Sequence, residues 1–347
     1  MTIDNKHLPA SDRYQQMQYR QCGTSGLYFP AISLGLWQHF GHESDLNKSR
    51  AILRRAFDRG VTHFDLANNY GLPFGSAEEN FGYILKRDFS GYRDELIISS
   101  KAGWGMWQGP YGNGSSRKHI IASCDQSLQR LGTDYVDIFY SHRPDFTTPL
   151  EETVDALAQL VRQGKALYIG ISSYGPKRTQ QAADLLKSQG IPLLIHQPSY
   201  SLLNRWIESE LLDTLAGLGS GTIAVSPLAQ GLLTEKYLNG VPQESRAADS
   251  SYFDTTVLNK DKLSRIRALS DIAQQRGQTL AQMAIAWTPR LPSVTSALIG
   301  ARNIEQLNNS LDALNNLTFT PEELSEIDLY AREGNVDLWR EQVTTGE

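Results

Sequence analysis

Short apolar runs alternate along this chain with longer segments whose apolar positions recur at helical spacing. The series begins with strand Ile32–Leu36 and helix Lys48–Arg59, which Gly60 stops. It continues with strand Val61–Asp65, helix Ala77–Lys86, strand Leu96–Ser100, helix Arg117–Arg130, strand Val136–Tyr140 and helix Leu150–Arg162 before Gly164. Strand Ala166–Ile171, helix Arg178–Lys187 before Gly190, strand Leu193–His196 and helix Glu208–Leu218 follow. Strand Thr222–Val225, helix Asp261–Arg276, strand Thr295–Ile299 and helix Ile304–Leu314 close it. Alternation of this kind argues for parallel strands joined by helical crossovers. Runs such as Leu96-Ile97-Ile98 and Val136-Asp137-Ile138-Phe139 are nearly continuous in apolar character, as strands covered on both faces are. The expected fold is α/β, a closed (β/α)8 TIM barrel forming one domain over residues 1–347.

Ahead of the barrel, Tyr19–Cys22 and Leu27–Ile32 flank Gly23-Thr24-Ser25-Gly26, which reads as a hairpin serving as a lid or plug, preceded by a polar tail over residues 1–16. Two connections are long: Gly103–Ser116, rich in glycine and aromatics, and Gln230–Lys260, rich in polar residues. Connections of that length are usually functional or disordered.

Composition narrows the partners. A net charge of −5 opposes general attraction to nucleic acid or an acidic membrane surface and leaves a small molecule as the expected partner. Cys22 and Cys124 are the only cysteines, with no Cys-x-x-Cys, so neither a disulfide framework nor a thiolate metal site is expected and a reducing compartment, the cytoplasm, fits. Met1–Gln16 lacks the apolar core of a signal peptide, and no run approaches the ~20 apolar residues that span a bilayer. His39 and His42 have metal-like spacing but no third ligand, and Gly112-Asn113-Gly114 is not a phosphate loop. Glu78, Glu79, Glu151 and Glu152 stand at helix starts, where carboxylates complement the macrodipole.

The chemistry lies in Asp65, Tyr70, Lys101 and His142, each at or just beyond the end of an apolar run. In a parallel barrel, catalytic groups come from the carboxyl ends of several strands. A carbonyl reduced by hydride becomes an alkoxide and needs a proton, which Tyr70 can supply. Lys101 is the candidate ammonium that would lower the phenol's pKa, Asp65 would hold that lysine, and His142 would orient the carbonyl. A barrel glycosidase would need a second carboxylate as well placed as Asp65.

The strings His63-Phe64-Asp65-Leu66-Ala67-Asn68-Asn69-Tyr70-Gly71, Ser100-Lys101-Ala102-Gly103 and Tyr140-Ser141-His142-Arg143-Pro144, in this order, resemble the aldo-keto reductase superfamily. Leu150-Glu151-Glu152-Thr153 and Ser226-Pro227-Leu228-Ala229-Gln230-Gly231-Leu232-Leu233 resemble the branch that contains potassium-channel β subunits and bacterial L-glyceraldehyde 3-phosphate reductases. Gly109-Pro110-Tyr111-Gly112, Ile195-His196-Gln197-Pro198-Ser199-Tyr200 and Leu202-Leu203-Asn204-Arg205-Trp206 are more similar to the latter.

The resemblance implies NADPH-dependent reduction of small aldehydes, L-glyceraldehyde 3-phosphate and methylglyoxal, with the four residues in the roles above. The alternative is a nucleotide-sensing regulatory subunit like the channel β subunits, which carry a different polar residue where this chain has His142. No Gly-x-Gly-x-x-Gly opens a helix, so the barrel mouth must hold the cofactor. The resemblance puts Trp37 and Asp65 near the nicotinamide, Ser172 and Gln197 on its carboxamide, Ser226, Leu228 and Gln230 along the pyrophosphate, and Gln306 and Ser310 at the adenine. Lys236, Arg246 and Arg302 supply positive charge suited to a 2′-phosphate. Two positions depart from the pattern: Val225 where relatives stack an aromatic ring, and Ser310 where they often have asparagine. Trp37, Trp104, Trp107 and Tyr111 are expected to wall the substrate pocket, with Arg143 and Arg205 as candidates for a substrate phosphate. A homo-tetramer or homo-octamer is implied as well.

Overall fold

The computed structural model describes residues 7–237, 259–334 and 336. A two-stranded antiparallel hairpin, β1 (Tyr19–Gln21) and β2 (Tyr28–Pro30), precedes a closed parallel barrel of eight strands. These are β3 (Ile32–Gly35), β4 (His63–Asp65), β5 (Ile97–Ala102), β6 (Val136–Ser141), β7 (Ala166–Ser172), β8 (Leu193–Gln197), β9 (Gly221–Val225) and β10 (Ser296–Ile299), with β10 closing on β3. The connecting helices are α1 (Leu46–Asp58), α2 (Ser76–Asp88), α3 (Arg117–Leu131), α4 (Leu150–Arg162), α5 (Pro176–Ser188), α6 (Leu211–Leu218) and α7 (Lys260–Gln275). Then come α8 (Leu280–Trp287), α9 (Ile304–Leu311) and α10 (Pro321–Tyr330).

The outer helices bury a stripe, as α4 does with Val154, Leu157 and Ala158, with α8 the exception, so the main core lies between the helices and the outward side of the strands. A separate apolar set fills the barrel interior: Cys22, Phe29, Ile97, Ile138, Tyr140, Ile195 and Ile223. Two of its members come from the hairpin segment. Cys22 Sγ reaches Leu194 O at 3.6 Å, and Thr24 N donates to Gly219 O at 2.9 Å. The hairpin therefore plugs the floor of the barrel, opposite the strand ends that carry the candidate chemistry.

Side-chain alternation explains how that chemistry enters the interior. On β4, His63 and Asp65 share one face; on β5, Ile97, Ser99 and Lys101 do; and the register sets Asp65 beside Ser99 and Lys101 beside Tyr140. Apolar residues occupy the floor and polar ones the layers above it.

Two helices were not expected from periodicity. Helix α8 reads Leu-Ala-Gln-Met-Ala-Ile-Ala-Trp and is buried on nearly all sides, so no polar stripe marks it. Both α8 and α10 open on a capping box, Thr279 with Gln282 and Thr320 with Glu323, a local signature that marks them where periodicity does not.

Candidate active site

Lys101 is fully buried, and its Nζ donates to Asp65 Oδ2 at 2.5 Å and to Leu66 O at 2.7 Å. Asp65 Oδ1 accepts from Ser99 Oγ at 2.7 Å and from Gln197 Nε2 at 3.1 Å, so both carboxylate oxygens are engaged. The Lys101 ammonium stands 5.1 Å from the centroid of the Tyr70 ring, and the His142 ring meets Tyr70 edge-on at 5.8 Å. Tyr70 follows β4 in a tight loop: its N donates to Ala67 O, and its carbonyl accepts from Gly75 N and Ala77 N. Gly71 makes this possible. Its φ is +80°, and a Cβ there would meet Ser76 Oγ at 2.5 Å and Ala77 N at 2.8 Å. His142 lies just past β6, tied by its N to Ala102 O at 2.9 Å.

The electrostatics differ from expectation in one respect. Tyr70 was expected to be made more acidic by Lys101, but its pKa is raised well above the usual phenol value, because burial disfavours the phenolate and the Asp65 carboxylate opposes a second negative charge. The lysine's charge is spent on Asp65, so Tyr70 keeps its proton throughout the neutral range. Lys101 is lowered by burial, with Asp65 acting in opposition. Burial, then Lys101 and Arg143, hold His142 well below the usual imidazole value, so the ring is neutral.

Tyr70, His142, Asp65 and Asn69 form one wall of a cleft of about 690 Å³ that extends past Trp37, Trp104, Gln197 and Ser226 to Arg302, Gln306 and Ser310. The chain matches the Aldo/keto reductase family over residues 31–331. It belongs to that family. It is 60% identical over 338 residues to the L-glyceraldehyde 3-phosphate reductase of Escherichia coli (strain K12), a match covering 96% of this chain and 98% of that one. It is also 38% identical over 318 residues to a probable voltage-gated potassium channel subunit beta of Oryza sativa subsp. japonica, covering 90% and 96% of the two chains. A similarly described protein of Arabidopsis thaliana is 39% identical over 305 residues, covering 86% and 91%.

Aldo/keto reductases generally use a nicotinamide cofactor, and the cleft of this family member can be tested for its fit. Asn69 Oδ1 is buried without a partner in the cleft wall. Gln197 spends one N–H on Asp65 and keeps its amide oxygen, the complement a carboxamide needs. A Cβ added to Gly300 would meet nothing within 4 Å. His39, Ser173, Ser226 and Gln230 line the cleft with φ between +58° and +67°, left-handed backbone that non-glycine residues adopt at a cost and that clusters at functional sites. These residues fit an elongated ligand with a carboxamide at the Asp65 end and polar or charged groups toward Arg302.

Of the residues expected at the cofactor, Trp37, Asp65, Ser172, Gln197, Ser226, Leu228, Gln230, Lys236, Arg302, Gln306 and Ser310 line the cleft, as does Val225. Arg246 lies outside the described residues. The expected substrate wall needs correction. Trp37 and Trp104 face the cleft, but Trp107 packs on His119 with centroids 4.8 Å apart, and Tyr111 is 56% exposed beside Lys118. Gly112 folds the loop back on Trp107, where a Cβ would meet Trp107 O at 1.9 Å. Arg205 is consumed elsewhere: it donates to both oxygens of Glu208, to Asp328 at 2.6 Å and to Ala331 O, which removes it as a phosphate ligand. Arg143 is not among the lining residues either. Its Nε donates to Gly103 O at 3.0 Å, its Nη2 to Asn113 Oδ1 at 3.1 Å, and its guanidinium covers Trp104 at 4.3 Å, so it clamps the loop that presents Trp104. Asn69 and Ser173 also line the cleft and were not foreseen, although both lie just beyond strand ends, the position that marked the other candidates.

The buried histidines set a pH limit on the fold. Burial brings His63 down to about 4 and His196 down to about 3, from 6.5. Below pH 6.5 the unfolded chain binds these protons and the folded one does not, so stability is complete above 6.5 and is lost as pH falls toward 4. Each histidine contributes about 1.4 kcal/mol per pH unit within that window. Urea unfolding between pH 6.5 and 5 should show a steep slope, and His196→Gln should flatten it by one histidine's share; a pH-independent midpoint would contradict this.

Proposed function

We propose that this protein reduces small aldehydes with NADPH, L-glyceraldehyde 3-phosphate and methylglyoxal among them, and that Tyr70 is the proton donor. The nicotinamide, when bound, supplies the hydride. The observation that carries the reading is the convergence of a protonated phenol, a buried Lys101–Asp65 pair and a neutral imidazole on one wall of a cleft of about 690 Å³ whose lining runs on to Arg302, Gln306 and Ser310. Gln197 and Asn69 would hold the carboxamide, and Trp37 and Trp104 would exclude water from the carbonyl. His142 Nδ1 is buried without a partner, and since buried N–H groups are rarely left orphaned, the ring proton belongs on Nε2, from which it can donate to the carbonyl oxygen. As the carbon accepts hydride, its oxygen takes the Tyr70 proton, and the developing phenolate is met by Lys101.

The choice of NADPH rests on Lys236 and Arg302 at the far end of the cleft. Arg302→Ala should raise KM for NADPH about tenfold or more while changing KM for NADH little, since only the former carries a 2′-phosphate. The measurement is NADPH and NADH oxidation across phosphorylated and unphosphorylated aldehydes. Equal effects on both cofactors would remove Arg302 from this role, and a folded protein that binds NADPH yet reduces no aldehyde would favour a nucleotide-sensing subunit.

A further inference from the structure

Beneath Lys101 a column of polar side chains descends into the barrel, buried and joined to the site, with no part in the proposed proton transfer. Ser99 Oγ lies 2.7 Å from Asp65 Oδ1 and 3.0 Å from His63 Nε2, and both Ser99 and His63 are fully buried. Hydrogen-bond inventory fixes the direction of this chain. A carboxylate paired with Lys101 only accepts, so the single hydroxyl proton of Ser99 belongs to Asp65 Oδ1. Ser99 must then accept from His63, which puts the imidazole proton on Nε2 and leaves Nδ1 a bare lone pair. Nδ1 is indeed the His63 atom that is buried without a partner. The opposite tautomer would bury an orphaned N–H and turn the serine's lone pairs on the carboxylate. Phe29, from the floor hairpin, packs edge-on against the imidazole at 4.9 Å and holds the ring in place.

We infer that His63 and Ser99 are positioning residues: a one-way donor chain, His63 to Ser99 to Asp65, that occupies Oδ1 and so dedicates Oδ2 to Lys101 beneath Tyr70. Gln197 supplies the second donor to Oδ1, from β8 on the other side. The other titratable groups facing this carboxylate are Lys101 from β5, Tyr70 from the loop after β4 and Tyr140 from β6, while Glu78 of α2 acts on Lys101. This inference rests on the reading of Tyr70 as proton donor for its kinetic consequences, but not for the tautomer.

The test is kinetic and spectroscopic. Ser99→Ala and His63→Leu should each lower kcat for aldehyde-dependent NADPH oxidation about tenfold or more, leave KM for NADPH and aldehyde within about twofold, and displace the acid limb of the kcat profile to higher pH. His63→Gln places an amide N–H near the position of Nε2 and should restore kcat to within about threefold of wild type. His63→Gln as impaired as His63→Leu, with a wild-type melting temperature, would overturn the inference, as would Ser99→Ala with a wild-type pH profile. Imidazole 15N shifts of the intact protein read the tautomer directly: a proton on Nε2 supports the chain, and a proton on Nδ1 overturns it. If wild type reduces no aldehyde, the reductase reading fails, and the 15N result still decides this one.

Discussion

Tyr70→Phe should lower kcat for aldehyde reduction by about 10²- to 10⁴-fold while leaving NADPH affinity nearly unchanged. Phenylalanine keeps the ring that packs near Lys101 at 5.1 Å, His142 at 5.8 Å and Trp37 at 6.4 Å, so the wall of the cleft survives and only the transferable proton goes. The structure also sharpens what wild type should do. A phenol held well above its usual pKa by burial and by Asp65 keeps its proton through neutral and mildly alkaline pH, so loss of activity toward high pH should not set in near neutrality. Steady-state kinetics beside a fluorescence titration of NADPH separate the two quantities. Full turnover by Tyr70→Phe would remove it as the acid.

Breaking the pair beneath it should damage the fold as well as the rate. Lys101 and Asp65 are 0% and 1% exposed, and removing one partner leaves the other as an uncompensated buried charge, a cost of about 3–5 kcal/mol. Lys101→Met would strand the carboxylate with only Ser99 and Gln197 as donors, and Asp65→Asn would leave the ammonium without a compensating charge, with Leu66 O and at most a neutral amide oxygen as acceptors. The double variant Asp65→Asn, Lys101→Met strands neither, so its loss of stability in urea should be clearly smaller than the sum of the single losses. Additive losses would show that the two groups do not act as a pair. All three variants should lose activity: Lys101→Met and the double variant deprive the Tyr70 phenolate of its cation, and Asp65→Asn removes the carboxylate that holds that cation in place.

The barrel was legible because its strands are short, covered runs and its helices carry one apolar stripe; where that contrast vanishes, as in α8 with only Gln282 not fully buried, periodicity has nothing to report. The convergence of Asp65, Lys101 and His142 was legible for a related reason: Asp65 ends β4, Lys101 sits near the end of β5 and His142 follows β6, and polar groups ending apolar strands in a parallel barrel converge above the core. Orientation in loops was not. Whether Trp104 or Trp107 faces the cleft depends on Gly112 and on an Arg143 guanidinium stacked on one indole, contacts that sequence order does not encode. Arg205 illustrates the same point, since its partner Asp328 is far away along the chain. The sign of the Tyr70 shift was missed because Asp65 was weighed only as the partner of Lys101, not as a negative charge facing the phenol, and burial was left out.

In the proposed reaction this cleft delivers a hydride to a carbonyl carbon. That transfer is tested most directly by reducing L-glyceraldehyde 3-phosphate with NADPH deuterated at the transferable position of its nicotinamide and locating the label in the product. Deuterium is expected on the former carbonyl carbon, delivered from the nicotinamide and not from solvent. Product lacking that label, or no product from folded protein saturated with NADPH, would contradict it.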